Sequence, residues 1–131
     1  MTLNEAQTRE VNDVMDQYVR YYNEKNEGNL QKLFSNEISG FGTAKNEIVG
    51  NFAQLKKLLR ADLDPANDIR LNVKILTTGG VMPVAWITGL CNLDGRIGEK
   101  NINMEGRVTA VLVNQGGRWL FTQVHFSVPA E

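Results

Sequence analysis

The sequence predicts a single α+β domain in which N-terminal helices pack in a strongly curved antiparallel sheet. Three observations carry that expectation. Apolar residues recur at helical spacing up to Leu63, they alternate with a period of two from Ile69 onward, and glycine pairs separate the later runs. A chain of 131 residues buries roughly two-thirds of its unfolded surface in one core, so residues 1–131 read as one domain.

Thr2 followed by Glu5 reads as a capping box, and Val11, Val14, Met15, Tyr18 and Tyr22 then mark one face of a long helix. Gly28 is expected to end it, with Asn29 capping a short turn, Leu30 to Phe34, that closes one end of the core. An extended stretch follows from Glu37 to Thr43. Asn51 and Gln54 form a second cap pair, opening a helix with Phe52, Leu55, Leu58, Leu59 and Leu63 on one side, and Pro65 stops it.

The remainder reads as strands. Ile69, Leu71, Val73, Ile75 and Thr77 alternate with polar residues, and Gly79-Gly80 suits a hairpin turn. Val81 to Leu93 is apolar on both faces, which places it centrally, with Gly89 allowing a bend. Asp94-Gly95 predicts a second hairpin. Asn101 to Val113 carries Met104, Val108, Ala110 and Leu112 on one face, Gln115-Gly116-Gly117 makes a third turn, and the last strand runs from Trp119 to Val128. The result is a four-stranded antiparallel meander curled around the long helix.

Composition excludes several function classes. Fourteen basic against fifteen acidic residues leave a net charge of -1, so no overall field favours nucleic acid or an anionic membrane. Cys91 is the single cysteine, which forbids an intrachain disulfide or a thiolate metal cluster and fits a reducing compartment. Met1 to Glu10 is polar, and no run of about 18 apolar residues occurs, so a cytoplasmic protein is expected. With one histidine no zinc or iron set is recognisable, and no cofactor is expected. Gly79-Gly80 and Gly116-Gly117 lack a following helix and are not phosphate loops.

Two stretches carry a resemblance to a known family. Phe41-Gly42-Thr43 through Glu47-Ile48-Val49-Gly50, leading into the helix from Asn51, and Arg118-Trp119 with His125, Ser127 and Pro129, resemble the SnoaL-like branch of the nuclear transport factor 2 superfamily. The spacing of Trp119, His125 and Ser127 is also similar to that in the association domain of calcium/calmodulin-dependent kinase. The resemblance spans nearly the whole chain. It implies a cone-shaped, cystatin-like fold with a deep pocket between sheet and helices, often dimeric through the outer sheet face. It does not imply one activity, since polyketide cyclases, a ketosteroid isomerase, dehydratases and oligomerisation domains share it.

The last strand supplies the candidate site residues. With strict alternation, Trp119, Phe121, Gln123, His125 and Ser127 share one face, joining an indole, an amide, an imidazole and a hydroxyl in a pattern suited to a pocket wall. Glu105 and Arg107, both odd-numbered on the neighbouring strand, add to the same rim if the strand registers suitably, or form a solvated surface pair. His125 suits a general acid or base if Glu105 orients it, and otherwise is a buried, hydrogen-bonded structural histidine tying strand to helix. Tyr18 and Tyr22 offer phenols to the cavity or simply pack the core. Proton-abstracting members of the superfamily use a pocket aspartate, whereas Asp13, Asp16, Asp62, Asp64, Asp68 and Asp94 all fall outside the predicted strands, with Asp16 the one expected to be able to point inward.

The sequence therefore reads as a small pocket protein for an apolar or mixed-polarity small molecule, homodimeric through the outer sheet face. Two alternatives stand beside it: an acid/base isomerase, lyase or cyclase using His125 with Glu105, and a pure interaction module. Trp119, Gln123, Ser127, Arg107, Tyr18 and Tyr22 are the expected pocket residues.

Overall fold

The computed structural model describes residues 2–130 and places helices α1 (Glu5–Asn23), α2 (Glu27–Gln31) and α3 (Phe52–Asp62) against a six-stranded sheet. The strands are β1 (Phe34–Phe41), β2 (Ile48–Val49), β3 (Asn67–Val81), β4 (Val84–Ile97), β5 (Lys100–Gln115) and β6 (Arg118–Ser127). Their order is β2-β1-β6-β5-β4-β3, an open sheet. The expected meander is β3 to β6, and β1 extends it by pairing in parallel with β6.

Helix α1 begins two residues later than expected. Asn4 accepts from the Gln7 backbone N–H at 2.8 Å and Gln7 Oε1 accepts from the Asn4 N–H at 3.0 Å, so Asn and Gln form the box assigned to Thr2 and Glu5. The helix ends at Asn23, well before Gly28. Lys25 takes a left-handed φ of 56°, Asn26 caps α2, and Gly28 lies inside α2. Asn23 gains a separate role there: its side-chain amide donates to the Leu71 carbonyl at 2.9 Å and its Oδ1 accepts from the Leu71 N–H at 2.7 Å, tying α1 to β3. The Asn51 cap of α3 is as expected, with Asn51 Oδ1 accepting from the Gln54 N–H at 2.9 Å.

Two predicted turns are strand interior. Gly79 and Gly80 pair with Trp86 and Ala85 inside the β3–β4 ladder, and the chain reverses at Met82-Pro83. Gly95 pairs with Ile69, and the reversal comes at Gly98-Glu99. Both glycines mark close backbone approach: a Cβ on Gly80 would lie 2.4 Å from the Val84 carbonyl oxygen, and one on Gly95, at φ 140°, would lie 1.9 Å from that of Asp68. Gly116 and Gly117, at φ 60° and 86°, do form the third turn.

The concave face of the sheet buries Ala85, Ile87, Val108, Ala110, Leu112 and Phe121 against Val11 and Met15 of α1 and Leu55 and Leu59 of α3. Central strand β4 is not apolar on two buried faces, because its even-numbered residues Val84, Trp86 and Leu90 are exposed on the convex side.

Candidate functional site

A cavity lies between the concave face, α1 and α3, and its walls come from each of them. Helix α1 contributes Tyr18 and Tyr22, α3 contributes Leu59 and Asp62, β6 contributes Val124 and Phe126, and the Gly42 to Glu47 segment forms the rim. The open space is about 70 Å³, counted for the centre of a water molecule, which suits a compact ligand. Tyr18 sits at the middle of an aromatic cluster, with ring centroids 6.1 Å from Tyr22, 6.0 Å from Phe34, 5.7 Å from Phe121 and 6.1 Å from Phe126.

The polar groups of this chamber are acids and hydroxyls. Tyr22 donates its hydroxyl hydrogen to Asp62 Oδ2 at 3.4 Å. Burial, and then the charge of Glu47, push the Asp62 carboxyl from 3.8 up to about 7, while the Tyr22 hydrogen bond pulls in the opposite direction. Burial and then the charge of Asp62 raise the Tyr18 and Tyr22 phenols well above their ordinary range, so both remain hydrogen-bond donors at any physiological pH. Glu47 Oε1 accepts from the Ala44 N–H at 2.8 Å, which folds the rim segment over its own carboxylate. The carboxyl on α3 thus titrates near neutrality in an apolar chamber, the condition for moving a proton at pH 7.

The residues expected to make one pocket wall are divided between the two sides of the sheet. Between Phe121 and Gln123 the β5–β6 register shifts: Leu112 pairs with Phe121 and Val111 with Gln123, leaving Thr122 as the extra residue of a bulge. A one-residue insertion exchanges the faces of everything after it. Trp119 and Phe121 accordingly point into the core, while Gln123 and His125 are exposed and the half-buried Val124 and Phe126 line the cavity. The expectation that Trp119, Gln123, His125 and Ser127 line one pocket is corrected by that bulge.

Trp119 is a core residue rather than a cavity wall, and its buried Nε1 has no hydrogen-bond partner among the described residues. His125, assigned as a possible catalytic base, pairs across β5 with Thr109 and lies 5.2 Å from the exposed Phe41 ring, outside the cavity. Its proposed orienting partner Glu105, together with Arg107, is also exposed, on an outer groove shared with Lys74, Asn92 and Leu90. Arg107 and Ser127 pair with each other across the β5–β6 ladder, and neither lines the cavity. Of the expected pocket residues, Tyr18 and Tyr22 are the two that line it. Asp16 is exposed on α1, and the inward aspartate is Asp62, one of the six expected outside the strands. Its signal was available: Asp62 falls three residues after Leu59 and seven after Leu55, on the buried stripe of α3.

The comparisons with known proteins agree with this architecture. The SnoaL-like domain family matches residues 11–131. The chain belongs to the SnoaL-like family. None of the curated proteins matches this SnoaL-like chain in sequence. Among solved structures, a nuclear transport factor 2-like protein of unknown function from Pseudomonas putida is 14% identical, with 98% of this chain and 91% of that one covered and a TM-score of 0.86. A proposed dehydratase of the same fold family from Streptomyces avermitilis is 10% identical over 97% of this chain and 99% of that one, with a TM-score of 0.87. A proposed scytalone dehydratase from Novosphingobium aromaticivorans is 15% identical over 95% and 85%, with a TM-score of 0.77. At these identities the likeness establishes the fold. No described helix of the SnoaL-like domain is long and apolar enough to cross a membrane.

Proposed function

We propose that this SnoaL-like domain binds a small, mostly apolar molecule inside the cone and exchanges a proton with it through Asp62, the chemistry of an acid/base lyase or isomerase. The observation that carries the reading is the Asp62 carboxyl itself, held by Tyr22 and brought by burial and Glu47 to about 7. A carboxyl that titrates near neutrality is populated in both forms at pH 7, so it can serve as base and as acid. Tyr18 supplies a hydroxyl for a substrate oxygen, and the apolar walls of Leu59, Val124 and Phe126 keep bulk water from competing. The fold is shared with two structural neighbours described as proposed dehydratases.

The test uses proton exchange, since it needs no knowledge of the natural product. Small ketones, hydroxy ketones and amino ketones are incubated with the protein in D2O, and deuterium uptake and water loss are followed by NMR. Uptake that rises with pH through about 7 and disappears in Asp62→Asn is expected. Equal uptake by wild type and Asp62→Asn across the panel refutes the catalytic role.

A second reading concerns assembly. The convex face exposes Leu76, Val84, Trp86 and Leu90 on adjacent strands, a patch of the kind that marks contact surfaces, and we propose a homodimer through it. The mass in solution decides between a dimer and a monomer.

A further inference from the structure

Charge in the cavity has an unusual balance. Two carboxylates, Asp62 and Glu47, face it, and none of its lining residues is lysine, arginine or histidine. The one salt bridge among the described residues, Arg60 to Glu27 at 3.3 Å, lies elsewhere and reaches neither acid. Asp62 has a single long hydrogen bond, from Tyr22, and Glu47 has one oxygen committed to the Ala44 N–H. Buried or half-buried carboxylates ordinarily have a basic partner, and these have none among the described residues.

An independent feature points to a ligand in the same space. Tyr18 is only 7% exposed and lines the cavity, yet its hydroxyl makes no hydrogen bond among the described residues. That oxygen is also not among the atoms sealed by protein, so it faces the cavity. Buried hydroxyls are normally satisfied, and this one lacks a partner in a cavity whose two acids act on it electrostatically.

We propose that the cavity takes a small organic cation, a protonated amine on a compact apolar body, with its ammonium group between Glu47 and Asp62. The inference rests on the reading of this cavity as a ligand site, but not on catalysis. The rings of Tyr18, Tyr22 and Phe126 favour a cation over their faces, and the free oxygen of Glu47 supplies the counter-charge. Tyr18 then donates to an oxygen of the same ligand. A carboxylate ligand, by contrast, would be stripped of water beside two like charges. Specificity against anions thus comes from the absence of any basic group in the wall.

Isothermal titration at pH 7.5 with benzylamine, benzyl alcohol and benzoate, and with isobutylamine, isobutanol and isobutyrate, separates charge from shape. The amine of at least one series is expected to bind about tenfold more tightly than its alcohol, a difference of about 1.4 kcal/mol, and its carboxylate most weakly. Glu47→Gln keeps the oxygen that accepts from Ala44 and is expected to abolish the amine's advantage while leaving alcohol binding in place. Amine binding should also release protons, seen as a dependence of the heat on buffer, because a cation beside Asp62 offsets the charge of Glu47. Alcohol or carboxylate binding as tight as the amine, or an amine advantage that survives Glu47→Gln, overturns the charge inference and leaves the cavity reading standing. Binding by none of the six overturns both.

Discussion

Asp62→Asn should make the protein more stable at pH 8 and leave it nearly unchanged at pH 4. The unfolded chain loses the Asp62 proton near 3.8, whereas the folded chain keeps it to about 7. Between those values the folded state binds more protons than the unfolded state, so stability falls as pH rises, and the full penalty is present above the folded value. Three pH units at about 1.4 kcal/mol each set a ceiling of about 4 kcal/mol. Asp62 is half-buried beside a cavity that admits water, so about 2 kcal/mol is the expected size. Asparagine has the same shape, carries no charge and still accepts from the Tyr22 hydroxyl. Urea unfolding of both proteins at pH 4, 6 and 8 gives the difference directly, and subtraction removes the titrating groups that do not interact with Asp62. Tyr18, Tyr22 and Glu47 are the ionisable groups that act on Asp62 or feel it, and all three are retained in the variant. A stability difference that does not change with pH, or a variant weaker than wild type at pH 8, refutes the assignment of Asp62 as a strained acid.

Tyr22→Phe removes the donor that favours the Asp62 carboxylate, so the Asp62 titration followed by carboxyl carbon NMR should move to higher pH. His125→Ala should change stability by less than about 0.5 kcal/mol and leave ligand binding in the cavity untouched, measured by urea unfolding and titration, because the ring is exposed outside it. Deleting Thr122 should remove the bulge while keeping Phe121 opposite Leu112 and Gln123 opposite Val111, so Val124 and Phe126 still face inward; urea unfolding should show a folded protein with a loss of about 1 kcal/mol, and loss of the fold would refute Thr122 as the extra residue. Trp86→Glu should turn a dimer into a monomer in light scattering without altering the far-ultraviolet circular dichroism, since the side chain is 47% exposed on the convex face.

The elements were legible where one physical rule acted alone. Helical spacing gave α1 and α3, and Asn51 with Gln54 gave the start of α3 correctly, because a side-chain cap is a local interaction. The strands were legible as a meander, but the turns assigned to Gly79-Gly80 and Asp94-Gly95 were not turns. Glycine serves both reversal and close strand approach, and sequence alone does not separate the two uses. The parallel pairing of β1 with β6 was invisible, since Phe34 and Phe121 are 87 residues apart and no local signal records such a contact.

The site was illegible for a related reason, and the two errors have one source. Period-two counting along β6 holds from Trp119 to Phe121, fails at Thr122, and holds again in the opposite phase, so an inference drawn across the bulge moved His125 into the cavity and Phe126 out of it. A bulge is a register decision taken jointly by β5 and β6, and Thr122 by itself is an ordinary strand residue. With His125 expected inside, its acid partner was expected at Glu105 on β5, and Asp16 was the helix aspartate expected to point inward. The helix was the better place to look. A carboxyl on the last turn of α3 enters the chamber at its rim, where burial is deep enough to raise it to about 7 and access is open enough for a ligand to reach it. On the sheet floor, among Ile87, Val108 and Leu112, the same group would have no route to a ligand and no hydroxyl beside it. The apolar sheet can therefore be optimised for packing while the helix end and the Glu47 rim hold the groups proposed to do the chemistry, and a stability cost at Asp62, if the urea series finds it, is the expected mark of a group retained for what it does rather than for what it holds together.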